Sequence, residues 1–121
     1  MATKYKVGKR VISSNPVTRP MKAYILVKDW VDVGHAVNSC CHAGTLISEH
    51  WTKDDPAMKE WWEGPIRKVT CKVTEKQFEE AKNFEDWFVV TEEAFDKQEV
   101  VLVLKPRKDW PKFFNFLALY K

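Results

Sequence analysis

The side chains with chemistry to offer gather on one segment: His35, Asn38, Ser39, His42, Thr45 and Glu49. They fall at i, i+3, i+4 and i+7 spacing, which on a helix brings them onto one face. Two imidazoles that change charge near neutral pH, with an amide and a hydroxyl between them, can exchange protons with a bound ligand. Asp29 or Asp32, just upstream, is placed to orient one imidazole. The same pattern also describes a plain solvated face, and periodicity alone does not separate the two readings.

Cys40, Cys41 and Cys71, with the histidines, are metal-ligand types. Their spacing is wrong for zinc, which takes Cys-x2–4-Cys or His-x3–5-His pairs, whereas neighbours on a helix diverge by about 100°. The expectation is no metal, no cofactor, and cysteines packed as small core residues. A nucleophilic thiol would need a lowered pKa, and nothing in the sequence marks one. An odd cysteine count with two adjacent members does not suit disulfides, which suggests reduced thiols and a cytosolic setting.

Six tryptophans are many for this length, and Trp30, Trp51, Trp61 and Trp62 flank the polar segment. Core filling accounts for most of them. Trp61 and Trp62 are consecutive, so both cannot point inward; at least one is expected at a surface, stacking a base or meeting a second copy in a homodimer.

The elements that position these residues follow from the apolar pattern. Residues 23–27 form a continuous apolar, β-branched run, the signature of a strand covered on both faces. Residues 34–50 predict a helix whose packing stripe is Val37, Cys40, Cys41, Gly44 and Ile47. Pro56 opens a short helix that Gly64-Pro65 stops. Residues 68–73 alternate as a strand, and Thr74 with Gln77 makes a capping box for a helix over 75–82. Residues 87–90 and 100–104 read as two more strands, and Asp109 is expected to cap a last helix with a Phe113, Phe116, Leu117 stripe. The order β-α-(α)-β-α-β-β-α predicts an α/β fold, a four-stranded mixed sheet flanked by helices.

At 121 residues one domain is expected, able to bury roughly two-thirds of its unfolded surface. No run of 18 apolar residues exists to span a membrane, and residues 1–20 lack the apolar stretch of a secretory signal. Those first 20 residues carry five basic side chains and no acid, which reads as a flexible arm or tag remnant preceding a domain over 21–121. Residues 21–121 then hold 15 basic and 17 acidic residues, so the net +3 does not describe a phosphate-tracking core.

The segment Gly34-His35-Ala36-Val37-Asn38-Ser39-Cys40-Cys41-His42-Ala43 resembles the type 2 peptidyl-tRNA hydrolases, whose first strand leads through a Lys-Gly-Lys turn into a helix with Ala-Gln-Cys-x-His-Ala. Gly34, Cys40, His42 and Ala43 fall on family positions; Lys105-Pro106 and Leu117-Ala118-Leu119-Tyr120 resemble the family's Gly-Pro and final Leu-Lys-Leu-Tyr. Val33 and His35 stand where the family has lysines, one of them implicated in hydrolysis. The stretch 91–96 is shorter and more acidic than the family's Asp-Ala-Gly-Arg-Thr, leaving Glu92 as the counterpart of its aspartate. The resemblance implies a divergent hydrolase-like protein with weak or lost ester cleavage, with His42 and Glu92 as catalytic candidates and Gly34 as a ligand contact; the polar helix face adds His35 as a further catalytic candidate and Asn38 and Ser39 as ligand contacts, and the consecutive tryptophans add Trp61 and Trp62. It implies tRNA or a nucleotide-type small molecule as partner, and a homodimer. A non-catalytic nucleotide binder and a protein-interaction module are the alternatives.

Overall fold

The continuous apolar run in Lys-Ala-Tyr-Ile-Leu-Val-Lys forms strand β1 (Lys22–Lys28), and its two sides feed two separate cores. Successive side chains of a strand point to opposite faces. In a computed structural model, which describes residues 20–121, Ala23, Ile25 and Val27 pack under helices α1 (Val33–His50) and α2 (Pro56–Glu63). Tyr24 and Leu26 face the other way, toward Phe78 and Ala81 of helix α3 (Glu75–Ala81) and toward Phe114 and Leu117 near the C-terminus.

The sheet runs in the order β3-β4-β1-β2-β5, with β2 at Arg67–Val73, β3 at Trp87–Glu92, β4 at Gln98–Arg107 and β5 at Ala118–Leu119. β1 and β2 are parallel, and the other pairs are antiparallel. The α/β class and a mixed sheet are as expected, but the strand count is five, not four. The extra strand is two residues long and pairs with Cys71 and Lys72 of β2; so short a segment has no periodicity of its own and exists only through that pairing.

The last expected helix is a second departure. Lys112–Phe116 forms a 3-10 turn opened by Pro111 with no side-chain cap, so Asp109 does not cap it. Three residues per turn aligns i with i+3, and accordingly Phe114 and Leu117 are buried while Phe116 is 80% exposed. The capping box does form: Gln77 N–H donates to Thr74 Oγ1 at 3.1 Å, and Thr74 N–H to Gln77 Oε1 at 3.0 Å.

Helix α1 is rotated from its expected orientation. Its buried residues are Ala36, Ser39, Ala43 and Ile47, at i, i+3, i+7 and i+11. Val37 is 58% exposed, Cys41 is exposed and Cys40 half-buried. Two alanines and a serine let the helix sit close on the sheet, and a stripe of larger side chains would hold it away. Among the described residues no helix is long and apolar enough to cross a membrane. The basic arm expected at the N-terminus lies outside the described residues, apart from Pro20.

Candidate functional site

β1, β2 and β3 all run the same way, so their carboxyl ends lie at one edge of the sheet. Ligands of open α/β sheets bind at such an edge, where helix N-termini also gather. Here the edge collects Lys28, the start of α1, the start of α3 and Glu92.

Asp32 is the N-cap of α1 and does two things. One carboxylate oxygen accepts the His35 backbone N–H at 3.2 Å, and the other lies 2.7 Å from His35 Nδ1. An ionised carboxylate only accepts, so Nδ1 carries the proton that faces it, and in the neutral ring Nε2 is then the atom with the lone pair. The His35 ring is further held against Phe95, centroids 4.9 Å apart, and Phe95 packs edge-on to Trp30 at 5.2 Å. The choice between Asp29 and Asp32 as the orienting acid is therefore made in favour of Asp32.

Glu92 ends β3 and caps the 3-10 turn Glu93–Phe95, accepting from Ala94 N–H at 3.2 Å. Its other oxygen receives the Ser39 hydroxyl at 3.5 Å, the outer limit of such a bond. Ser39 is fully buried, so it works as a support under Glu92, not as a surface ligand contact.

The cations near this edge are differently placed. Lys28 is 6% exposed, 3.2 Å from Glu75 Oε1 and 4.6 Å above the Phe78 ring. Glu75 also accepts from Trp30 Nε1 at 2.8 Å, and that bond, helped by Lys28, holds its carboxyl below the ordinary range. Lys28 is thus already neutralised. Lys97 follows the left-handed Asp96, its backbone N–H donates to the Glu92 carbonyl at 3.0 Å, and its ammonium has no carboxylate partner among the described residues.

Other expected contacts fall elsewhere. His42 and Asn38 are exposed on α1, with no hydrogen bond or ring contact among the described residues. At Gly34 an added Cβ would meet Asp32 Oδ2 at 3.4 Å, an ordinary contact, so glycine is not sterically required. Trp61 is 2% exposed and donates to the Arg67 carbonyl at 2.8 Å, while Trp62 is half-buried beneath Lys53 at 4.6 Å. Only Trp62 of the two consecutive indoles reaches the surface, in keeping with the expectation that both cannot point inward. The cysteines divide as well: burial pushes the Cys71 thiol up to about 11 and raises Cys40, but Cys41 is exposed and so is not a core residue. The roles of Asp32 as cap and of Phe95 as ring support were missed in the sequence; an Asp three residues before a histidine at a helix start was the available signal.

The arrangement can hold a water or a ligand proton at His35 Nε2, with two carboxylates nearby. Compared with known proteins, the chain matches no family model and no curated protein.

The Asp32 carboxyl is held below its ordinary value, chiefly by the side-chain bond from His35 and next by the His35 backbone N–H. A depressed folded pKa means its contribution is present above the ordinary value of 3.8 and is lost as pH falls from there through the lowered folded value. In His35→Ala the Asp32 carboxyl should titrate closer to 3.8, read by carbon-detected NMR. An unchanged titration would show that the pair does not form in solution.

Proposed function

We propose that the chain is a divergent peptidyl-tRNA hydrolase-like protein of the cytoplasm whose ester cleavage is weak or lost. The Asp32–His35 pair carries this reading: an imidazole fixed through Nδ1, at the same sheet edge as Glu92, can in its neutral form orient water for attack on an ester. Cleavage also needs a cation or donor where the oxyanion develops. Lys28 is committed to Glu75, and Val33 stands where the resembled family has a lysine. The chemistry has a base but no cation at the helix turn, and Lys97, whose ammonium has no carboxylate partner among the described residues, is the cation left near this edge.

Release of peptide from a peptidyl-tRNA, followed against time, tests the proposal. Turnover should be about 10²–10³-fold below that of a site with the cation in place, and His35→Ala should remove most of what remains with the fold intact by circular dichroism. Robust hydrolysis unaffected by His35→Ala, His42→Ala and Glu92→Gln would sink it. The neutralised Lys28 also favours a second reading, a non-catalytic binder of a nucleotide-type small molecule at the same edge. Mass spectrometry of molecules released on denaturation would then find such a ligand, lost in His35→Ala.

A further inference from the structure

On the other flank of α1 a groove of about 460 Å³ separates the helix from the β2 side of the sheet. Its helix wall is Val37, Cys40, Cys41 and Gly44; its floor includes Ile25 and Tyr120. A second recess, sharing Cys41, Gly44 and Lys68, continues it toward Trp62. Volumes of this size suit a small molecule.

The sheet wall is polar for a specific reason. In β2, Val69, Cys71 and Val73 pack into the core beneath α3, so Lys68, Thr70 and Lys72 face the α1 side. That face would normally be apolar and covered by a helix, but α1 stands off it. Lys68 has no carboxylate partner among the described residues: its ammonium meets only the Ile66 carbonyl at 3.3 Å and the Trp61 ring at 5.5 Å. Lys72 likewise has only the Tyr120 ring, at 4.7 Å. Partial burial pulls the Lys68 ammonium below its ordinary pKa, the direction expected of a cation lacking an anion.

Gly44 is the second observation. Glycine inside a helix is less favourable than alanine, yet nothing lies within 4 Å of where its Cβ would be. No packing demands glycine there; what its missing side chain does is keep the groove open.

We propose that this groove binds a small molecule with a flat apolar body and one anionic group, the anion paired with Lys68 and the body lying between Val37, Gly44 and Tyr120. The charge pattern selects this occupant: a largely apolar groove carries one lining cation, Lys68, without an anionic partner among the described residues. The site does not depend on the His35 chemistry.

The test is a proton–nitrogen NMR titration of the 121-residue chain with 2-naphthoate, 2-naphthyl phosphate and the neutral 2-naphthylmethanol. Either anion should shift the amides of Gly44, Lys68 and Thr70, and the stronger of the two identifies the acid group. Lys68→Met should weaken the anions at least tenfold with little change for the alcohol. Gly44→Leu should abolish binding of all three, and Gly44→Ala should leave the chain folded and at least as heat-stable, which separates blockage from misfolding. His35→Ala should leave binding unchanged. No shifts at millimolar anion, shifts confined to the His35 edge, or equal binding by Lys68→Met and Gly44→Leu would overturn the proposal, as would a dimer that buries these amides and is not loosened by naphthoate.

Discussion

Phe78→Ala should lower the unfolding free energy by about 3–5 kcal/mol, the cost of removing a buried phenyl and leaving its cavity. Phe78 is fully buried among Tyr24, Leu26, Leu102 and Phe114. It is also what keeps α3 in place: a seven-residue helix has no stability of its own in water, and only Phe78 and Ala81 are buried along it. The ring lies 4.6 Å beneath the Lys28 ammonium, so its loss also removes the surface against which that buried cation is held. Against a total stability of about 5–15 kcal/mol the change is large, and it corresponds to a fall in Tm of roughly 12–20 °C. Calorimetry or urea unfolding reads it directly. Phe116→Ala is the control: the ring is 80% exposed, and its removal should change stability by less than about 0.5 kcal/mol. A loss below about 1 kcal/mol for Phe78, or a larger one for Phe116, would contradict the packing of this face.

Val33→Lys should raise peptidyl-tRNA cleavage by about 10²-fold, because it supplies a cation at the helix turn, where the proposed chemistry lacks one. The position tolerates the change: Val33 is 64% exposed at the first residue of α1, so no core contact is lost. A cation at a helix N-terminus opposes the helix dipole, at a cost of about 0.3–1 kcal/mol, too little to unfold the chain. Asp32 next to it already accepts from His35, so the new ammonium must work without drawing that carboxylate away. Val33→Gln separates charge from reach, and Val33→Lys with His35→Ala separates the cation from the base. The expected pattern is a gain in Val33→Lys, little in Val33→Gln, and loss of the gain once His35 is removed. An equal gain in Val33→Gln, or none in Val33→Lys despite retained tRNA binding, would count against the proposed chemistry.

Local chemistry by itself determined much of this chain. The covered strand at β1, Pro56 in the first turn of α2, the Thr74–Gln77 capping box and the alternation of β2 are each written within a few neighbouring residues, and each formed where expected. Features depending on distant partners were not legible. Glu92 meets Ser39 from 53 positions away, and β5 exists only because residues 118–119 reach β2. The face that α1 buries was misread for a related reason: the helix carries apolar or small side chains on two flanks, and only the close approach of the sheet selects Ala36, Ser39, Ala43 and Ile47 over Val37 and Cys41. The C-terminal aromatics fit helical spacing as well as 3-10 spacing, and docking of Phe114 against Tyr24 settled it. Sequence patterning sets which elements form because it acts through neighbours. Which faces meet, and so which polar groups are left facing a groove or an edge, is set by long-range packing, which no local pattern encodes.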